Sequence, residues 1–152
     1  GLQASTVVFP NAHKKEVFDK FWMNMDIHRN NAFSSVAMEA ALNEGEEWLE
    51  QLKEYLDGNF AYIDAFLKEH LPKAHMVPSE GTYLAWLDCR ELGMTDDELM
   101  AFFSDEAKVW LDPGTHSGEQ GSGFMRFNLG SSRSVIAQAL DQIEAAWKKR
   151  NA

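Results

Sequence analysis

Apolar positions follow helical spacing over two stretches in the first half of the chain. Within residues 14–25, apolar side chains recur every three or four positions, which predicts a helix. The same spacing continues over residues 34–70, where Gly45 and Gly58 are expected to bend or divide a long helix. Residues 4–9 are instead rich in Thr and Val, a composition that predicts a strand.

The second half of the chain alternates short apolar runs with turn residues. From residue 72 onward this pattern predicts the order strand, strand, helix, strand, strand, helix. The four strands are expected at residues 74–77, 82–89, 108–112 and 124–129. Thr95 and Glu98 have the spacing of a capping box before the first helix, and Ser131 or Ser132 is expected to cap the last one. The sequence therefore predicts an α+β fold in which helices cover a small sheet.

These elements divide the chain into three regions. We expect a strand plus a helix in residues 1–32, a long linking helix with a bend in residues 33–71, and a small α+β domain in residues 72–152. Val7, Val8 and Phe9 of the first strand are continuously apolar, as in a sheet covered on both faces, and no other predicted strand lies near it. The chain also begins without Met. We therefore expect a cut inside a longer polypeptide, with residues 1–32 as the remnant of another domain.

Composition limits the partners of the chain. The 152 residues carry 24 acidic and 14 basic side chains, a formal net charge of -10. Such a surface repels nucleic acid and anionic membranes, so neither is expected as a partner. No apolar run approaches the ~20 residues that span a bilayer. Cys89 is the single cysteine, which excludes an internal disulfide and indicates a reducing, cytoplasmic location.

Two features of the sequence give only weak evidence for a metal site or a nucleotide site. The five histidines lack the spacing of known metal motifs, so no metal site is predicted: His13, His28, His70, His75 and His116. The glycine-rich stretch at residues 113–123 leads into a strand and is not followed by a helix N-terminus. It therefore predicts a mobile loop and not a phosphate-binding loop.

Arg126 lies in the middle of an apolar strand, where a guanidinium needs an anionic partner. Its planar fork fits a carboxylate in distance and direction, so a substrate carboxylate is one candidate partner. A salt bridge to a neighbouring Asp or Glu is at least as compatible with the sequence. The substrate hypothesis expects an accessible Arg126 that no internal carboxylate closes off.

Several segments carry a resemblance to a known family. "NEGEEWLEQLKEYLDGN", "PSEGTYLAWLDCRELGM" and "VWLDPGTHSGEQGSGFMRFNLGSSRSVIAQALDQI" resemble the C-terminal part of pyridoxal-phosphate (PLP) enzymes of the class I/II aminotransferase fold. More narrowly, they resemble the cystathionine β-lyase-like C-S lyase subgroup. "GLQASTVVFPN" resembles the segment that follows the cofactor lysine in that subgroup. The resemblance covers essentially the whole chain.

The resemblance implies a role for each region. Arg126 matches the arginine that binds the α-carboxylate of the amino-acid substrate. Residues 72–152 match the small C-terminal domain, and residues 1–32 match a remnant of the large cofactor-binding domain. The Schiff-base lysine is expected just before Gly1, so this chain is expected to contain no catalytic residue and no cofactor-binding residue. PLP is then implied for the full-length enzyme, and this fragment is predicted to bind none and to be inactive.

The resemblance also implies an activity for the full-length protein. It would be α,β-elimination from cystathionine, cysteine or a related compound, which yields pyruvate, ammonia and a thiol. The subgroup further implies a homodimer that acts on a small amino-acid substrate. A true aminotransferase is the alternative within the same fold. A non-catalytic structural or dimerisation module is the alternative from a different class.

Overall fold

The computed structural model describes residue 2, residues 4–26 and residues 31–152. The helices are α1 (Ala12–Asn24), α2 (Ser34–Glu44), α3 (Glu46–His70), α4 (Asp96–Ala101) and α5 (Arg133–Arg150). The strands are β1 (His75–Met76), β2 (Leu84–Asp88), β3 (Asp112–Pro113) and β4 (Phe124–Asn128). The chain divides into two compact units, the first ending at Gln51 and the second comprising Leu52–Ala152.

The strand predicted at residues 4–9 is absent, and that prediction is wrong. A strand needs a neighbour with which to exchange backbone hydrogen bonds, and the first unit contains no second strand among its described residues. The segment instead makes side-chain contacts: the Thr6 hydroxyl donates to the Met38 sulfur at 3.0 Å. The Phe9 ring packs on Phe18 with 5.1 Å between ring centroids.

Gly45 divides the long helical stretch into α2 and α3. The amide of Gly45 donates to the Ala41 carbonyl at 3.1 Å and ends α2. A Cβ at this position would lie 2.4 Å from the same carbonyl oxygen, so glycine allows the close approach. Gly58 does not interrupt α3. A Cβ there would lie 3.0 Å from a guanidinium nitrogen of Arg133, so its small size makes room for that side chain.

The second unit contains one four-stranded sheet in the order β1-β2-β4-β3, and every neighbouring pair is antiparallel. This sheet and its helices confirm the α+β fold class. The third strand is shorter than predicted, because only Asp112 and Pro113 pair with β4. Lys108 has a left-handed φ of 57°, and the next amide, Val109, donates to the Phe103 carbonyl at 2.8 Å. These constraints hold the start of the predicted strand against the helical turn at Phe102–Glu106 that follows α4.

Hydrophobic burial is concentrated on one face of this sheet. Side chains of β2 and β4 alternate between buried and half-buried, as expected for a sheet with one covered face. The buried side chains join those of α3, α4 and α5 in a single core that includes Ile63, Leu67, Ala85, Leu87, Leu99, Phe102, Met125, Phe127, Ile136, Leu140 and Ile143. The opposite face of the sheet carries the polar and aromatic residues described next.

Candidate functional site

Arg126 lies on the uncovered face of the sheet, near its centre. Its neighbours along β4, Met125 and Phe127, are buried in the core, so the alternation of the strand turns Arg126 away from the core. In the sheet register it is opposite Trp86 on one side and Asp112 on the other. The Arg126 side chain is 37% exposed, so it can be reached from solvent.

The Asp112 carboxylate is the partner of Arg126. Nε of Arg126 donates to Oδ2 of Asp112 at 3.1 Å, and Nη2 donates to the same oxygen. An internal carboxylate therefore engages Arg126, as the salt-bridge alternative expects, but it does not close the side chain off from solvent. The cause is the strand register, which places the two residues directly opposite each other on one face. The role of Arg126 toward a substrate stays a prediction.

Asp112 occupies only one edge of the guanidinium. A guanidinium has five N–H donors in a planar fork, and the pair uses Nε and one N–H of Nη2. Nη1 and the second N–H of Nη2 make no hydrogen bond to the described residues. These donors form the outer edge of the fork, which matches the two oxygens of a carboxylate. The arrangement can therefore hold an internal and an external carboxylate at the same time.

An aromatic hollow lies on the same face. The Trp86 and Phe124 rings meet edge to face with 6.5 Å between centroids, and the Arg90 guanidinium lies 4.8 Å from the centre of the Phe124 ring. An open cavity of about 310 Å³ is lined by Val77, Trp86, Ser117, Gln120, Gly121 and Phe124. Trp86 pairs with Arg126 across the strands, and Phe124 precedes it by two positions. Apolar and cationic surfaces are thus adjacent on this face.

The glycine-rich loop between β3 and β4 is folded closely on itself. A Cβ at Gly121 would lie 2.0 Å from the Gly114 carbonyl oxygen, so the two backbone segments touch. The Asp96 carboxylate accepts from the Gly123 amide at 2.7 Å and from the Ser122 hydroxyl at 2.8 Å. These hydrogen bonds hold the pKa of Asp96 below its ordinary value. The loop is therefore tied to the start of α4, next to the strand that carries Arg126.

A buried amide fixes the other end of β4. Asn59 is completely buried in α3, and its Nδ2 donates to the Leu129 carbonyl at 3.0 Å. Nε of Arg133 donates to Oδ1 of Asn59 at 2.7 Å, and the amide of Arg133 donates to the Tyr55 hydroxyl at 2.7 Å. Helix α3 thereby holds both the chain that follows Arg126 and the first residue of α5.

Sequence reasoning missed both Asp112 and Asn59. Asp112 is the last residue of a predicted strand, but strand pairing and register were not available from one sequence. Asn59 lies at an inward position in the helical pattern of α3, and a polar residue at such a position signals a buried hydrogen bond. That signal was available in the spacing.

The lysines do not fit a PLP aldimine site. A lysine that forms a Schiff base lies in a desolvated pocket or beside another cation, which lowers its pKa. All nine lysines of the chain are described, and every one is exposed to solvent. Lys15, Lys68 and Lys148 are paired with acidic residues one helical turn away. None of the nine lysines therefore lies in a desolvated pocket of this chain.

The described histidines are dispersed. Nδ1 of His70 lies 2.8 Å from Oε1 of Glu144, and Nε2 of His75 lies 3.6 Å from Oε2 of Glu91. His28 lies outside the described residues. Across residues 4–26 and 31–152, no three His, Cys, Asp or Glu side chains come together in a way that could hold a metal ion. No helix in this part of the chain has both the length and the apolar character of a membrane span.

Comparison with known proteins places these features in a family. No family model matches the chain. Cystathionine beta-lyase PatB of Bacillus subtilis is 38% identical over 146 residues, which cover 96% of this chain and 38% of that protein. A PLP-bound Clostridium difficile 630 structure that carries an aminotransferase name has 40% identity and a TM-score of 0.87 over 91% of this chain and 36% of its own. Cystalysin of Treponema denticola, which contains PLP, has 28% identity and a TM-score of 0.78 over 88% of this chain and 35% of its own.

The chain is a homologue of PLP-dependent enzymes of the aminotransferase fold. Its homologues include proteins named cystathionine beta-lyase, which confirms the predicted resemblance to that subgroup. It spans little more than a third of the length of the curated relatives that head the comparison. That share is consistent with the C-terminal piece that the sequence predicts.

Proposed function

We propose that this chain is the part of a PLP-dependent C-S lyase that binds the α-carboxylate of the amino-acid substrate. The observation that carries the proposal is Arg126, held by Asp112 along one edge and open along the other. Homology to proteins named cystathionine β-lyase supports the substrate class, a sulfur-containing amino acid. The proposed overall reaction of the full-length protein is α,β-elimination to pyruvate, ammonia and a thiol.

Arg126 would act by binding and orientation. Two parallel N–H···O bonds from its outer edge fix both the position and the plane of a carboxylate. Anchoring this end of the substrate restricts rotation about the bond to Cα, which pre-orients the bond to be broken. The Trp86 and Phe124 rings beside Arg126 offer an apolar surface to a thioether side chain, and sulfur packs favourably on aromatic rings. PLP would supply the electron sink in the full-length protein, but the exposed lysines of this chain do not fit its aldimine site.

An aminotransferase is the second candidate for the full-length protein. The observation that favours it is the structural match to the Clostridium difficile protein with an aminotransferase name, at 40% identity. Both reactions require the same carboxylate-binding arginine, so the site described here supports either one. Pyruvate release in the absence of a keto-acid acceptor distinguishes them. We expect release from a cysteine conjugate by the purified full-length protein, and strict dependence on a keto acid would favour the aminotransferase.

The test of the arginine itself is Arg126→Lys in the full-length protein. Lysine keeps the charge but loses the paired donors, so we expect catalytic efficiency to fall roughly 10- to 150-fold, as for the loss of one charge-assisted hydrogen bond. Cofactor absorbance should be unchanged. Thermal unfolding of the same variant is the control. A purely structural salt bridge that is more than a third exposed predicts at most a small loss of stability, with near-normal activity in the folded protein.

For the 152-residue chain alone, we propose that no defined PLP adduct forms and that it has no activity. The support is the exposure of all nine lysines. The chain can be incubated with PLP, reduced with borohydride and mapped by mass spectrometry. Scattered, substoichiometric labelling is expected, whereas stoichiometric labelling of one lysine would contradict the proposal. If the full-length protein also lacks activity, the non-catalytic module is the correct alternative.

We also propose that the full-length protein is a cytoplasmic homodimer. The single cysteine, Cys89, is buried, and burial raises the pKa of its thiol to about 12, which keeps it protonated and unreactive. This arrangement suits a reducing compartment and requires no disulfide. The homodimer is implied by the family resemblance. Light scattering on the full-length protein tests the dimer, and fractionation of cells tests the location.

A further inference from the structure

Building on the proposed role of Arg126, we propose that Asp112 is a positioning residue that presents the guanidinium to the substrate carboxylate. The two residues are direct partners across β3 and β4. In such a pair the Cβ atoms lie about 5 Å apart on the same face. The Asp112 carboxylate therefore approaches the Arg126 guanidinium from the neighbouring strand, on the same face of the sheet.

The geometry of the pair leaves the outer edge of Arg126 open. One oxygen, Oδ2, accepts from both Nε and Nη2, so Asp112 takes the inner edge of the fork. Rotation about the long arginine side chain is thereby restricted before a ligand arrives. Restricting a flexible side chain in its binding conformation removes an entropic cost from the binding step.

Asp112 can serve as a fixed point because its backbone is anchored. Leu111 before it is buried in the core, and Gly114, two positions after it, is buried against the backbone of Gly121. Arg126, by contrast, has a long side chain that packing alone would leave free to move. Asp112 is thus short and anchored, whereas Arg126 is long and flexible. Asp112 can therefore support Arg126 as a positioned donor.

Asp112 would have the opposite effect if it competed with the substrate carboxylate for the donors of Arg126. A carboxylate beside Arg126 also repels the incoming substrate carboxylate and could occupy its donors. Both side chains are more than a third exposed, at 37% and 40%, so solvent and salt weaken this repulsion. The hydrogen bonds that set direction are short-ranged and are less affected. Positioning should therefore outweigh repulsion, and the two effects predict changes of opposite sign in KM.

The experiment measures kcat and KM of the full-length, PLP-loaded protein for one cysteine conjugate. The variants are Asp112→Ala, Asp112→Asn, Arg126→Lys and the double variant Asp112→Ala/Arg126→Lys. Asp141→Asn, an exposed acidic residue on α5, is the matched control for removal of one negative charge. We expect Asp112→Ala to raise KM about tenfold with kcat changed less than about threefold, as for the loss of one hydrogen bond to a charged group. Asp112→Asn keeps an acceptor oxygen and should restore part of the loss.

The double variant separates positioning from a general structural role. If Asp112 acts through Arg126, Asp112→Ala should add little to the defect of Arg126→Lys. A fully additive defect, an unchanged KM or a lowered KM in the Asp112 variants would overturn the inference. A lowered KM would identify Asp112 as a competitor of the substrate. If Arg126→Lys itself leaves KM and kcat unchanged, the proposed function of Arg126 fails as well, so the two failures are distinguishable.

Discussion

The two compact units differ in how far their hydrophobic residues are buried. In the second unit the buried hydrophobic residues form one core, and all of those described in the chain lie between Ile63 and Ala146. In the first unit the only fully buried residue among those described is a serine, Ser34. Large apolar side chains are exposed there: Val7, Val8, Val17, Phe21, Met23, Met25, Phe33, Val36, Leu42, Trp48 and Leu49.

The difference follows from what the helices of each unit can pack on, because a helix gains most of its stability from burying its apolar face. The helices of the second unit pack on a four-stranded sheet, whose inner face completes the core. The first unit has helices but no strand among its described residues. Its large apolar side chains are exposed at many positions, and large exposed apolar patches mark sites of interaction. Assignment of residues 1–32 to a large cofactor-binding domain would explain this surface and stays a prediction.

The largest expected effect compares one phenylalanine from each unit. Phe102 is completely buried and meets the Phe103 and Trp147 rings edge to face, whereas Phe21 is 58% exposed. We expect Phe102→Ala to lower the free energy of unfolding by about 3–5 kcal/mol, because it leaves a cavity in a packed core. Phe21→Ala should change it by less than about 0.5 kcal/mol. Urea unfolding followed by tryptophan fluorescence measures both, and equal effects would contradict the division into a packed and an unpacked unit.

The next effect concerns the buried amide that ties α3 to β4 and α5. Asn59→Ala removes hydrogen bonds to the Leu129 carbonyl and from Nε of Arg133, and leaves a buried carbonyl without its partner. A buried polar group that loses its partner costs about 1–3 kcal/mol, and we expect a loss in that range. Asn151→Ala, after α5, is the matched control: it loses one exposed hydrogen bond, from Nδ2 to the Trp147 carbonyl, and should cost much less than the loss of a buried one. A neutral Asn59→Ala would mean that water replaces the network.

A smaller effect compares two helix N-caps, one from each unit. The Thr95 hydroxyl accepts from the Glu98 amide and forms a complete capping box, and the Asn11 side chain accepts from the Lys14 amide. Thr95→Ala should lower the free energy of unfolding by about 1 kcal/mol. Asn11→Ala should reduce helical circular dichroism but leave the main unfolding transition in place, because α1 contributes no buried residue. A shift of that transition equal to the Thr95→Ala shift would show that α1 is coupled to the core.

Local patterns in the sequence predicted the elements better than their pairing. The capping box at Thr95, the helix boundary at Gly45 and the order of elements from residue 72 onward were all available from spacing and turn residues. The prediction of a strand at residues 4–9 was wrong, because high β-propensity cannot supply a missing partner strand. On α5, apolar character alone does not decide burial, because Val135 is exposed whereas Ala146 is buried.

The candidate site was likewise predictable only in part, because local patterns in the sequence do not encode the pairing of strands. A lone arginine in an apolar strand identified Arg126 as a residue that needs an anion, and the structure supplies one in Asp112. Which acid would face it depended on strand order and register, and these arise from long-range pairing that no local pattern encodes. The open outer edge of the guanidinium is likewise a property of geometry and not of spacing.

The smallest effect is the pH dependence contributed by Asp96, which ties the glycine-rich loop to α4. Its pKa is lowered from the ordinary value of 3.8, chiefly because the Gly123 amide donates to it and then because the Ser122 hydroxyl donates to it. A group whose pKa is lower in the folded state stabilises the fold when it is ionised. This contribution is therefore fully present well above pH 3.8 and is lost as the pH falls through the lower, folded-state value. Asp96→Asn should remove it, so the stability difference between the native protein and the variant should shrink on acidification below about pH 5.

Urea unfolding of both proteins from pH 7 to pH 3 measures that difference. Asp97→Asn, the exposed neighbour in the same helical turn, is the control, and a difference that stays constant over this range would show that the Asp96 hydrogen bonds do not depend on its charge.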